Sequence, residues 1–290
     1  MSGCFQFGLL GHRISYSLSP DIFRAIADHT NCHIDFSLID IPGDKLDITI
    51  EELVHQGLDG FSVTIPHKSR LLKLVTDIDP VAETIGAVNS VKVSEGSLIG
   101  YNTDVFGFAV PLEEFREELR GKTAIIVGSG GAARAVLYSL LREFEVNHAL
   151  VCARTVARVT QLQADAARFA PDREVSTCLL SDFAGLQHTE AAILVNCTPL
   201  GGFTSGGAPI EAVPFPVDIA PIYYDLNYNA DNLLIANAYR EGVRAIDGTK
   251  MLVGQAVRSF ELWTGLTVPF DAVYNAVFGR RFGEHGEWPE

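Results

Sequence analysis

Short apolar runs recur along the chain, separated for the most part by stretches whose apolar residues fall at helical spacing. Phe5-Gln6-Phe7-Gly8-Leu9-Leu10 reads as a first strand, and the polar loop from Gly11 to Pro20 leads into a helix. Ile34, Phe36 and Leu38 alternate as in a half-buried strand, and residues 60–65 and 88–93 supply two more, with helical segments between them. Pro66 halts the strand at 60–65, so His67 and Lys68 sit at its carboxyl end, the edge at which open α/β sheets bind ligands. A helix carrying Leu71, Leu72 and Val75 is expected next. Glu95-Gly96-Ser97 marks a hairpin, and Asp104 opens a helix bearing Val105, Phe106, Ala109 and Leu112.

From Thr123 onward the alternation becomes regular. Apolar strands near 124–127, 148–153, 175–180, 193–198, 222–226 and 243–246 are separated by helical stretches, the pattern of a doubly wound parallel sheet. Its first turn is Gly128-Ser129-Gly130-Gly131-Ala132-Ala133, in which Gly128, Gly130 and Ala133 fit the spacing G-x-G-x-x-G/A. Glycines at a strand end can simply close a loop. Here a helix with Ala132, Val136, Leu140 and Leu141 follows, then the strand 149–152, so the turn lies in a βαβ unit whose free backbone N–H groups can face a pyrophosphate.

After the second strand, where an NAD site usually places an acid for the ribose 2′-OH, the chain reads Cys152-Ala153-Arg154-Thr155-Val156-Ala157-Arg158. Arginines four apart on a first helical turn share a face and could clasp a 2′-phosphate, which favours NADP; they could also be ordinary solvated helix residues. A last long helix carries Leu252, Ala256, Phe260 and Trp263.

Composition narrows the partners. With 290 residues, 47% of them hydrophobic, the chain can bury the cores of two domains. A formal charge of −14 argues against nucleic acid or an anionic membrane as partner, since either needs a basic face. The N-terminus lacks a basic region and no apolar run approaches the roughly 18 residues of a membrane span, so a cytoplasmic protein is expected. Cys4, Cys32, Cys152, Cys178 and Cys197 are scattered and never in C-x-x-C, which predicts reduced thiols. His29, Cys32 and His33 read as a helix end, and no metal is expected. Residues 201–207 read as a mobile loop and 282–290 as a frayed tail.

Several polar stretches remain: Tyr16-Ser17-Leu18-Ser19-Pro20, Val63-Thr64-Ile65-Pro66-His67-Lys68, Ala87-Val88-Asn89, Asn102-Thr103-Asp104, the glycine turn through Arg134, and the run from Asp247-Gly248-Thr249-Lys250-Met251 to Gln255-Ala256. Taken alone, Ser19 before Pro20 is a helix opening, Lys68 a solvated lysine and Asp104 a helix cap. Together and in this order the six stretches resemble the motifs of the shikimate dehydrogenase family, over nearly the whole chain.

The resemblance implies two α/β domains flanking a cleft, the second a doubly wound Rossmann-type parallel sheet. Residues 1–104, completed by helices in 248–290, would bind substrate, and 105–247 would bind NADP. The implied activity is reversible NADP-dependent reduction of 3-dehydroshikimate to shikimate, a step of aromatic amino-acid biosynthesis, by a monomer or homodimer. Lys68 and Asp104 would be the catalytic pair; Ser17 and Ser19 would hold the substrate carboxylate, and Thr64, Asn89, Tyr228 and Gln255 would complete the substrate side. Gly128, Ser129, Gly130, Gly131, Ala132, Ala133, Arg154, Thr155, Arg158, Thr198, Gly248 and Met251 would line the cofactor, although Met251 also reads as plain core.

Ser62 stands where many members have asparagine, Leu18 where some have lysine, and Ala230-Asp231-Asn232 follows Tyr228 in place of the usual proline and threonine. A quinate or mixed quinate/shikimate dehydrogenase is the alternative enzyme, and a non-catalytic ligand-binding member the alternative class. The chemistry needs one side chain to manage the hydroxyl proton while the carbon exchanges hydride with the nicotinamide. Asp104 beside Lys68 would favour the ammonium and desolvation the amine, leaving open a neutral base or a cation that polarises the ketone.

Overall fold

The computed structural model describes residues 4–42, 45–64, 67–68, 70–185, 190–201, 217–229 and 231–279, with backbone alone at 184 and 185. The expected strand end at Ile65-Pro66, most of the loop at 201–207, Ala230 and the tail at 282–290 lie outside the described residues. The chain forms two units, Met1–Gly107 with Val253–Glu290, and Phe108–Leu252.

In chain order the elements are β1 (Cys4–Gly11), α1 (Ser19–Thr30), β2 (His33–Asp40), α2 (Leu46–His55), β3 (Gly60–Val63), β4 (Asp77–Ile78), α3 (Pro80–Ile85), β5 (Ser90–Ser94), β6 (Ser97–Tyr101) and α4 (Asp104–Ala109). Then come α5 (Arg116–Leu119), β7 (Thr123–Val127), α6 (Gly131–Tyr138), β8 (His148–Ala153), α7 (Val156–Phe169), β9 (Glu174–Leu179), β10 (Ala191–Asn196) and β11 (Ile222–Asp225). The chain ends with α8 (Leu233–Arg240), β12 (Arg244–Ile246), α9 (Thr249–Thr264) and α10 (Phe270–Phe278).

The first unit is built on a six-stranded sheet of order β2-β1-β3-β5-β6-β4. Strands β2, β1 and β3 are parallel, the β3–β5 and β5–β6 pairs antiparallel, and β4 parallel to β6. Alternation along the strands sends Leu10, Phe61, Val63, Val91 and Leu98 into one core with Leu46 and Ile50 of α2. On the opposite face Phe7 meets Trp263 of α9 at 4.7 Å between ring centroids, and Phe23 of α1 stacks on the same indole at 5.7 Å. Gly60 must be glycine there, because a Cβ would lie 2.6 Å from the Trp263 ring.

Two local expectations change. The helix expected around Leu71, Leu72 and Val75 is a single 3-10 turn, Leu71–Lys73, because Thr76 already donates its N–H to the Leu98 carbonyl at 2.8 Å and the chain then enters β4. Ser19 does not cap α1. It is the first helical residue, buried, and its N–H is taken by Ser17 Oγ at 3.2 Å.

The second unit carries a six-stranded, wholly parallel sheet of order β12-β11-β10-β7-β8-β9. Its near-continuous apolar strands follow from burial on both faces. Order reverses between β7 and β10, the switch point at whose carboxyl edge such sheets bind ligands. Cys152 and Cys178 correct the expectation of reduced thiols: register sets them directly opposite on β8 and β9, with Cα atoms 4.8 Å apart, and they are joined as a disulfide. Cys4, Cys32 and Cys197 are free. No helix among the described residues is long and apolar enough to cross a membrane.

Candidate active site

Lys68 follows the carboxyl end of β3, and its carbonyl is anchored by the Val88 N–H at 3.1 Å. Its side chain reaches Asp104 at the start of α4, Nζ to Oδ2 at 2.5 Å. The other carboxylate oxygen, Oδ1, accepts from Asn89 Nδ2 at 2.9 Å. The capping explanation for Asp104 therefore gives way: both oxygens serve this cluster. Asn89 is fixed in turn by Thr103, whose N–H donates to Asn89 Oδ1 at 2.7 Å and whose Oγ1 accepts from Nδ2 at 3.0 Å. Asn89, Thr103 and Asp104 are all buried, so these bonds are made where an unpaired polar group is costly.

The neighbouring His67 is buried. Burial pushes its pKa down, and its Nε2 donates to the Ile41 carbonyl at 3.3 Å.

A second polar group forms in the loop leaving β1, the strand beside β3. Ser17 Oγ donates to Ser19 Oγ at 3.1 Å, which leaves the Ser19 proton at the head of α1 as a neutral donor for a carboxylate; Ser17 can donate there only by turning away from Ser19. This loop is clamped from behind. Asp40, the last residue of β2, accepts from the N–H groups of Arg13 at 2.9 Å and Ile14 at 3.3 Å and lies 3.3 Å from His12 Nδ1. The clamp holds Arg13 at φ 59°, unusual for a non-glycine residue, and keeps the Asp40 carboxyl below its ordinary range through the Arg13 N–H above all. Nothing in the spacing of the sequence ties Asp40 to the serines.

Thr64, half-buried just past β3, donates its N–H to the Leu10 carbonyl. Gln255 lies half-buried on α9, and Tyr228, also half-buried, follows β11. Ser62, the departure noted in the sequence, is an interior residue of β3 facing Ser90 across the ladder.

In the second unit the glycine turn has the shape its spacing implies. Gly128 has φ 122° and donates its N–H to the Cys152 carbonyl, and a Cβ there would come within 3.2 Å of the Cys197 backbone on the loop after β10. Gly130 is exposed and a Cβ on it would meet nothing within 4 Å. The amides of Ser129, Gly130, Gly131 and Ala132 thus open α6 without side-chain obstruction, and Ala133 packs inward.

Arg154, Thr155 and Arg158 are exposed at the start of α7; Thr155 makes no side-chain cap, and neither arginine is paired with a carboxylate among the described residues. Two unspent guanidinium groups beside an open amide cradle fit a dinucleotide carrying an extra phosphate.

Three further positions have structural duties. Thr198 Oγ1 donates to Asn196 Oδ1 at 2.7 Å and accepts from the Leu200 N–H, shaping the loop after β10. Gly248 cannot carry a side chain, since a Cβ would lie 2.2 Å from the Leu226 carbonyl oxygen. Met251 is buried in the core of this unit.

Sequence reasoning also missed Asp225, buried at the end of β11. It accepts from Tyr223 Oη at 2.6 Å, Asn196 Nδ2 at 3.1 Å, and the Asn227 N–H and Nδ2 at 2.9 and 2.7 Å. Desolvation raises its pKa despite these donors. The available signal was an acid ending the otherwise apolar run Ile222-Tyr223-Tyr224.

Comparison with known proteins matches residues 9–91 to the shikimate dehydrogenase substrate binding domain and residues 248–278 to the shikimate 5′-dehydrogenase C-terminal domain. The chain is 34% identical over 275 residues to a shikimate dehydrogenase (NADP(+)) of Caldanaerobacter subterraneus, covering 94% of this chain and 96% of the relative. It is also 34% identical to an enzyme of the same name from Nitrosopumilus maritimus, with 94% and 98% covered. Among solved structures it superposes with TM-score 0.77 and 28% identity on the Thermus thermophilus shikimate 5-dehydrogenase in complex with NADP(H) and shikimate, covering 96% of this chain and 99% of that one.

Proposed function

The chain belongs to the shikimate dehydrogenase family, and from that premise we propose that it is an NADP-dependent shikimate dehydrogenase interconverting 3-dehydroshikimate and shikimate. The observation that carries the reading is the ion pair of Lys68 with Asp104, held from behind by Asn89. Its neighbours offer what a hydroxylated cyclic acid needs: hydroxyls at Ser17 and Ser19 for the carboxylate, and Thr64 and Gln255 for ring hydroxyls, while Asn89, with both Nδ2 protons engaged, holds Asp104.

When bound, NADP(H) supplies or accepts the hydride. In the reductive direction the ammonium of Lys68 donates one hydrogen bond to Asp104 and directs another N–H at the ketone oxygen. It stabilises the negative charge that grows there and delivers a proton to that oxygen. In the oxidative direction Lys68 receives the proton from the same atom. Asp104 holds the nitrogen on target, and its own position follows from Asn89. At the other unit the amides from Ser129 to Ala132 receive the pyrophosphate, and Arg154 with Arg158 the 2′-phosphate.

Steady-state rates with shikimate and quinate, each against NADP and NAD, test the reading. Efficient turnover of shikimate with NADP is expected. Preferred oxidation of quinate, or no turnover of either acid, would overturn the substrate assignment.

A further inference from the structure

Ser259 lies on α9, fully buried, one helical turn beyond Gln255 and far in sequence from every residue of the Lys68 cluster. Its Oγ donates to the Gln255 carbonyl at 2.7 Å and lies 3.0 Å from Thr103 Oγ1. A mid-helix serine bonding back to the carbonyl four residues earlier is common and needs no further duty. The contact with Thr103 is the unusual one, because counting protons gives it a direction.

Asn89 has two N–H protons on Nδ2; one goes to Asp104 Oδ1 at 2.9 Å and the other to Thr103 Oγ1 at 3.0 Å. Thr103 Oγ1 is therefore an acceptor on that side, and its single proton is left to donate. The single proton of Ser259 is spent on the Gln255 carbonyl, so Ser259 Oγ is free to accept. A one-way chain results: Lys68 and Asn89 donate to Asp104, Asn89 donates to Thr103, Thr103 to Ser259, and Ser259 to the backbone of α9.

We infer that Ser259 is a positioning residue for the catalytic aspartate, acting through Thr103 and Asn89. Its acceptor fixes the rotor of the Thr103 hydroxyl, and this keeps an acceptor in front of the second Asn89 N–H. The same bonds decide which way the Asn89 amide points. A flipped amide would set Oδ1 against the Asp104 carboxylate and Nδ2 against the Thr103 N–H. Without Ser259 the Thr103 hydroxyl has an alternative acceptor in Asn89 Oδ1 at 3.3 Å, and turning there weakens its acceptance of the Nδ2 proton. The inference rests on the reading of Lys68 and Asp104 as the catalytic pair.

Steady-state kinetics of S259A, T103V, T103S and S259A/T103V test it, with NADP affinity and thermal melting recorded for each. S259A should lower kcat on the order of tenfold with shikimate while NADP affinity is unchanged, as expected when a reacting group is displaced from a distance. T103V should fall by a similar factor, T103S should stay near wild type, and the double variant should be no slower than T103V alone.

Factors that multiply in the double variant, or an S259A enzyme with kcat within about twofold of wild type, would overturn the inference. Loss in T103S equal to that in T103V would overturn it as well, since the hydroxyl would not be what matters. Wild-type rates in D104N would instead overturn the reading beneath it, so the two failures are separable.

Discussion

Lys68 Nζ and Asp104 Oδ2 lie 2.5 Å apart although 36 positions separate them in sequence. The side chain of Asp104 is 6% exposed and that of Lys68 17%, so the pair has a buried carboxylate behind and an amine nearer solvent. This asymmetry suits a lysine that meets substrate and an aspartate that aims it. Replacing Lys68 by alanine should reduce kcat by roughly 10²–10⁴-fold with NADP affinity nearly intact. Turnover and cofactor titration measure the two effects separately, and near wild-type turnover would remove Lys68 from the mechanism.

Arg154 and Arg158 should set cofactor choice. With either arginine changed to alanine, the KM for NADP should rise by roughly tenfold or more, as expected for loss of a charge-assisted contact, while the KM for NAD changes little. An equal rise for both cofactors would move the phosphate contact elsewhere.

Asp40 should act on substrate affinity alone. In D40N one oxygen can still accept from Arg13 or Ile14, but the amide nitrogen cannot, so the loop bearing Ser17 and Ser19 loses half of its clamp. The KM for shikimate should rise several-fold with kcat and the KM for NADP close to wild type. A fall in kcat at unchanged KM would contradict this.

Asp225 should leave a signature in the pH dependence of stability. Its folded-state pKa is raised above the ordinary 3.8 by desolvation, so the folded protein keeps this proton at pH values where the unfolded chain has lost it. The contribution of Asp225 is then fully present below about pH 3.8 and diminishes as pH rises through the raised native value. D225N carries no titrating group there, and denaturant unfolding across that window should show a flatter profile. It should also cost about 1–3 kcal/mol, because an amide NH₂ would face the Asn227 donors. Parallel profiles for D225N and wild type would refute the assignment.

The sheet strands and the glycine turn were legible because each follows from local pattern. The run 124–127 is apolar throughout and Gly128 ends it at a φ that favours glycine, so the βαβ unit could be read without neighbours. From spacing alone the Lys68 cluster was legible only as separate polar stretches, since spacing says nothing about which loops meet; it was the family resemblance that paired Lys68 with Asp104. Ser19 shows the limit of capping rules: Ser-Pro opens the helix, but the N–H is satisfied by Ser17 instead. The disulfide, Asp40, Asp225 and Ser259 were out of reach for a common reason. Each depends on register between strands or on a contact between elements distant in the chain, and no periodicity encodes either.

The first unit is discontinuous, since its chain stops at Gly107 and resumes at Val253, whereas the second is one uninterrupted stretch. During synthesis the sheet that presents Lys68 emerges with one face bare, its glycine notch at Gly60 waiting for the Trp263 ring. The intervening unit has all its strands in hand before that ring is made and can complete its fold first. Chains ending at residue 252 should therefore carry a protease-resistant second unit preceded by a segment that is not yet a domain. Assembly of the Lys68–Asp104 site would then be the final act of folding.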